Sequence, residues 1–166
     1  MSEETAAQTS WSALADASPE DCVVTMTETF SAITEFDEAG RSERFGALLA
    51  EEATLDDKAL QRMSAGRLRA LANLDVEVAH NLQVAWEAAE RSQPANLGMR
   101  RVFALQAAAK GLSLDEISRV EPFMPTVREM AGLAPARKDR PIAAGDLMVE
   151  APAPKKGLFG KLFSRS

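Results

Sequence analysis

The residues that could do chemistry are few, and their spacing limits what they can do. The chain has one histidine, His80, and one cysteine, Cys22. A zinc site needs further His or Cys ligands at helical or turn spacing. His80 has neither at i+4, only Asp75 and Glu77 near it in sequence. It reads as a surface or half-buried structural histidine. Cys22 falls in the first turn of an expected helix, where the dipole lowers a thiol pKa. Glu20 and Asp21 beside it oppose that shift, so an inert thiol is expected. A lone cysteine also excludes an intramolecular disulfide framework and fits a reducing compartment. Glu51, Glu52, Glu87 and Glu90 supply carboxylates for a metal, but without the Glu-x-x-His pairs that di-iron bundles use. There is no phosphate-binding glycine loop and no nucleophile elbow. The expectation is a protein that is not an enzyme, with no catalytic residue, metal or cofactor to nominate.

A second pattern concerns nucleic acid. The run Lys110-Gly111-Leu112-Ser113-Leu114-Asp115-Glu116-Ile117-Ser118-Arg119, followed by Pro125-Thr126-Val127-Arg128, resembles a helix-turn-helix, with a capped first helix, a turn and a recognition helix. Pro122 and Pro125 crowd the turn where that motif usually carries Gly. Glu129 stands beside Arg128, and the basic cluster that phosphate contacts require is missing. A DNA-binding regulator is therefore an alternative, and a nucleic-acid partner is not expected.

The last twelve residues carry the sharpest signal: Lys155-Lys156-Gly157-Leu158-Phe159-Gly160-Lys161-Leu162-Phe163-Ser164-Arg165-Ser166. In a helix, Leu158, Phe159, Leu162 and Phe163 fall at i, i+1, i+4 and i+5 and share one face. Lys155, Lys156, Lys161 and Arg165 surround that face. Such a segment can lie in a headgroup layer, apolar side inward and bases on anionic lipid. Ordering it costs backbone entropy, which Gly157 and Gly160 increase. One copy is expected to bind weakly and reversibly, and a homo-oligomer would add avidity. This tail resembles the C-terminal membrane-targeting sequences of the bacterial Min-system division-site ATPases and of the actin-like division anchors. It is also similar to the lipid-binding start of the bacterial signal-recognition-particle receptor. The resemblance covers 155–166 alone and implies attachment to the inner face of a bacterial membrane. The same residues could instead dock on a protein, as a cargo peptide does on a shell, or fold back on the acidic part of their own chain.

The elements that must carry these residues read as helices. At 166 residues and 17.9 kDa, the length suits one domain with tails. No run approaches the ~20 apolar residues of a membrane span. The N-terminus lacks the basic and then apolar run of a secretory signal, so a cytoplasmic protein is expected. The net charge of -6 argues against a chain-wide nucleic-acid binder. It is unevenly placed, with 14 acids against Arg41 and Arg44 in residues 1–57, and 17 bases against 11 acids thereafter.

Residues 1–17 read as a flexible acidic N-terminus in which Trp11 and Leu14 could dock as a short turn. Ser18-Pro19-Glu20-Asp21 starts a helix with the stripe Val23, Met26, Phe30 and Ile33, which Gly40 is expected to end. A second helix over 42–52 turns Phe45, Leu48 and Leu49 inward. Thr54 and Asp57 form an expected capping box for a third. That pattern runs over about 55–91, interrupted at Gly66 and Arg67. It is either broken near 73–75 or, the reading preferred, one long or kinked helix. Pro94 opens a helix over 95–110 with Leu97, Val102, Leu105 and Ala109 inward and Gly111 as stop. Ser113 with Glu116 caps the next, which carries Leu114, Ile117 and Val120 and stops at Pro122. Pro125 restarts a last turn through Val127, Met130 and Leu133.

The prediction is an all-α bundle of about five helices over 18–134 with one long central helix. A Pro/Ala-rich linker follows over 135–154, then the basic amphipathic tail over 155–166. The expected function is that of an adaptor or scaffold: the bundle binds a protein partner and the tail attaches it to an anionic membrane surface. Recruitment to a protein assembly through the tail is the alternative.

Overall fold

Five side chains set where five helices begin. Ser18, Asp37, Asp56, Asp75 and Ser113 each accept a hydrogen bond from a backbone N–H in the first turn beyond them. Each such bond satisfies a donor that the helix itself leaves unpaired, at about 1 kcal/mol. A computed structural model describes residues 10–134. It contains α1 (Pro19–Thr34), α2 (Glu38–Glu52), α3 (Asp57–Leu71), α4 (Val76–Arg91), α5 (Ala95–Lys110), α6 (Leu114–Val120) and α7 (Val127–Met130). A 3-10 turn, Trp11–Asp16, precedes them. The described residues contain no strand, and the fold is all-α. The chain divides at Pro135, and the linker and tail lie outside the described residues.

The central helix α3 packs against α1 on one side and α5 on the other, while α2 packs against α4. Gly66 permits the α1–α3 approach. A Cβ there would lie 2.8 Å from the Cys22 sulfur and 3.2 Å from the Met26 sulfur. Met26, Phe30 and Ile33 of α1 meet Phe45 and Leu49 of α2 and Leu82 and Trp86 of α4 in one core. Ile117, Val120, Phe123, Met124 and Val127 extend it toward the C-terminal end of the bundle. The centre is aromatic. Phe45 and Trp86 lie 5.3 Å apart, and Phe30 lies 5.8 Å from Trp11. Edge-on and tilted pairs at such spacings add about 0.5–1.5 kcal/mol each beyond burial.

The structure corrects several expectations at helix boundaries. Gly40 does not end the first helix; α1 stops at Thr34, and Gly40 lies in the first turn of α2, donating its N–H to Asp37 at 2.8 Å. The long helix over 55–91 is two helices. Asp75 accepts from the Glu77 N–H at 2.9 Å and starts α4, because a short acidic side chain favours a cap over a helix interior. The cap of α3 is Asp56, bonded to the Ala59 N–H at 2.7 Å. Thr54 instead donates back to the Glu51 carbonyl at 2.8 Å. The Ser113–Glu116 capping box forms in both directions, and α5 ends at Lys110 with Gly111 as its cap. Val102, expected inside, is 49% exposed, and Leu114 of the next helix is 66% exposed.

The packed core also begins before Ser18. Trp11, Leu14 and Ala15 are buried, and the 3-10 turn sits against α2 and α3. A buried indole N–H is usually hydrogen-bonded, and that of Trp11 finds an acceptor here. Replacing Trp11 with alanine removes an aromatic from the central cluster and should cost about 3–5 kcal/mol. Urea unfolding followed by far-UV circular dichroism checks this; a loss below 1 kcal/mol would mean the turn is not part of the core.

Candidate functional site

The acceptor for Trp11 is Glu52, the most deeply buried acid among the described residues. Its carboxylate takes the Trp11 Nε1–H at 3.0 Å and the Arg101 Nε–H at 3.4 Å. Arg101 reaches in from α5, and its other nitrogen donates to the Leu49 carbonyl on α2. Arg67 of α3 completes the group, with its guanidinium 4.5 Å from the centre of the Trp86 ring. Both arginines are only 5% exposed. Burial pushes the Glu52 carboxyl above the usual range, against the pull of Arg67, Trp11 and Arg101. Burial likewise lowers Arg67, which Glu90, Glu52 and Glu87 oppose.

Two arginines face one carboxylate in this group, and the contacts of Arg101 with Glu52 and the Leu49 carbonyl fix α5. Arg101 points inward, with Ala104, Ala108 and Ala109 as the other buried residues of the helix. At 3.6 residues per turn the opposite side carries Ala95, Asn96, Met99, Val102, Phe103 and Gln106, all exposed, within about 120° of arc. Met99 and Phe103 are each 62% exposed. The helix is thus partly inverted: Arg101 and alanines are its buried residues, Leu105 packs against the core, and Met99, Val102 and Phe103 face outward. Beside Phe103 a cleft of about 260 Å³ opens between α3 and α5, floored by Ala104 and Ala107 and edged by Asp57, Lys58, Gln61 and Arg100. Arg100 is held at that edge by Asp57 at 2.9 Å and by the Leu55 carbonyl at 2.7 Å.

The other candidates fall elsewhere. Cys22 is buried, its thiol 3.9 Å from the Met26 sulfur, and burial raises its pKa against the pull of Arg69. His80 is exposed, with Nδ1 3.5 Å from the Phe123 carbonyl. Glu51 and Glu52, adjacent in sequence, serve different partners. Glu51 accepts the Ser10 hydroxyl at 2.6 Å and the Ser12 N–H at 3.0 Å, which hold it below its ordinary value. Glu87 accepts from Gln83 at 2.8 Å. Among the described residues no three His, Cys, Asp or Glu gather to hold a metal.

The helix-turn-helix pattern does not assemble. Its second helix, α7, is four residues long, too short to lie along a groove, and Arg128 turns back to Glu121 at 3.5 Å. Lys155, Lys156, Leu158, Phe159, Lys161, Leu162, Phe163 and Arg165 lie outside the described residues.

Sequence reasoning missed both the buried ion group and the outward ridge. The available signal was Arg67, an apparent interruption of an apolar stripe, and Arg101 among alanines. A run such as Met99, Val102 and Phe103 at i, i+3 and i+4 is ordinarily assigned to the core. No family of known proteins, no curated protein and no solved structure matches this chain.

Two outcomes follow from these contacts. Arg101→Ala leaves Glu52 buried with one of its donors gone, and should destabilise the bundle by about 3–5 kcal/mol in urea unfolding. Glu51 has a folded pKa below its ordinary value of 4.5, so its contribution is present above that pH and is lost as pH falls through the lowered value. Glu51→Gln should therefore be less stable than the parent at pH 7, and the difference should shrink as the pH is taken down through and below 4.5. A difference that stays constant with pH would remove the Ser10–Glu51–Ser12 contact from the account.

Proposed function

We propose that this chain is a non-enzymatic adaptor or scaffold: a helical bundle that docks a protein on the outer face of α5, joined to a tail that attaches reversibly to an anionic membrane surface from the cytosolic side. One observation carries the binding half. Met99, Val102 and Phe103 stand outside a helix whose buried face is anchored by a charged side chain. Exposed large side chains gathered on one ridge mark interaction sites, whereas single exposed apolar residues are ordinary. The ridge belongs to the one long helix without an acid, in a bundle that is acidic elsewhere.

The tail supports the other half by its composition. Four large apolar residues and four bases within 155–166 suit the boundary between headgroups and acyl chains, where each base contributes about 1 kcal/mol on an anionic surface. No helix among the described residues is long and apolar enough to cross a membrane.

Co-sedimentation with vesicles containing an anionic phospholipid tests the attachment. The full chain should pellet, removal of 155–166 should abolish pelleting, and Lys161→Gln should lower partitioning about fivefold. Equal pelleting with and without the tail would sink the membrane half of the proposal.

A further inference from the structure

We infer that the occupant of the α5 ridge is a second copy of this chain, seated with the two α5 helices antiparallel. The inference rests on reading the ridge as a docking face and names its partner.

Charge decides between occupants. Residues 10–134 carry 20 acids and 12 bases, a net of -8, so most faces of one bundle repel the same faces of another. The outer face of α5 is different: from Ala95 to Gln106 it carries no charge, with Lys110 at its end and the paired Asp57 and Arg100, beside Lys58, at the edge of the adjoining cleft. A two-fold interface places a patch against itself, so it is least costly where the patch has no charge to repeat. An acidic partner helix would find few cations on this face, since Arg100 is engaged by Asp57 and Arg101 is buried. A strongly basic partner would find one acid there, Asp57, already paired with Arg100.

The pairing direction follows from the same residues. A parallel pair would set Lys110 against its copy. An antiparallel pair about a two-fold axis near Val102 sets Lys110 against Ala95 and Gln106 against Met99, and opposes the helix dipoles. The ridge also carries both halves of a fit. Phe103 projects at the rim of the cleft floored by Ala104 and Ala107, so in a symmetric pair each Phe103 can enter the other copy's cleft. A single helix pair is smaller than the roughly 1,200–2,000 Å² of a standard interface, so the dimer is a weak one. Dimerisation places two tails on one particle, which answers the weakness of one tail by avidity.

Sedimentation velocity on the full chain tests this. Wild-type protein should pass from monomer toward dimer between about 10 μM and 1 mM. The dimer should strengthen as salt rises from about 0.05 M to 0.5 M, because screening relieves repulsion between two acidic bundles. Phe103→Asp should remain monomeric throughout, with the wild-type circular dichroism spectrum. Independently of that variant, Val102→Cys should form a covalent dimer under mild oxidation. Val24→Cys, at least as exposed on α1, should not, and wild-type protein with only buried Cys22 should not. A monomer at every concentration, a dimer that survives Phe103→Asp, or a dimer that weakens with salt would each overturn the inference. None of these outcomes depends on lipid, so its failure and that of tail attachment are read separately.

Discussion

Glu52 is where the separate parts of the bundle meet. Its carboxylate belongs to α2, its donors come from the N-terminal turn and from α5, and the Arg67 charge comes from α3. A carboxylate in an apolar interior costs several kcal/mol unless it is paired and hydrogen-bonded. Burial pushes this one above its ordinary pKa, against the pull of Arg67, Trp11 and Arg101. Apolar packing alone would tolerate sliding or rotation of helices as rich in alanine as α5. Rotating α5 by one residue would carry Arg101 away from Glu52, so the pair fixes the rotation of the helix as well as its position.

The outward ridge is the consequence. Burying a Met, Val or Phe side chain is worth about 1.5–3 kcal/mol. Removing one partner of a buried ion pair costs about 3–5 kcal/mol. The two demands on α5 are of the same order, and one helix cannot meet both by turning. The bundle satisfies Arg101 internally and covers α5 with alanines, which also lets it approach α3 closely. Met99, Val102 and Phe103 are left for something outside the described bundle to cover.

How much of this the sequence revealed depends on whether a feature is local. Caps are local: Ser18, Ser113 with Glu116, and Gly111 stand within a few residues of the donors they satisfy, and each was legible. The stop at Asp75 was legible as an alternative, because a capping residue and an apolar stripe that could run through it made opposite claims. Asp37 was missed as a cap because Gly40, three residues later, reads as a stop. The stripe rule failed where a long-range partner overrode it. Leu114, next to its cap, points to solvent, and Val102 points outward because Arg101 is claimed by a residue 49 positions away. Trp11 belongs to the core through a contact of similar range, 41 positions to Glu52. No periodicity reports such pairs.

The proposed attachments would each be weak, and the charge of the chain explains how weak ones can suffice. A bundle of net -8 is repelled by an anionic membrane and by its own copies. That repulsion fades over a Debye length of about 8–10 Å at ordinary salt. The twenty residues of 135–154 can span at most about 70 Å, so a tail bound to lipid need not bring the acidic body within that distance. In the proposed dimer the ridge brings two bundles together on the outer face of α5, which itself carries no acid. With two tails on one particle, release of one leaves the other to hold it near the surface, at an effective concentration set by the linker. Attachment would then follow dimer concentration rather than chain concentration. A modest change in how much of the ridge is covered would change how much protein sits at the membrane.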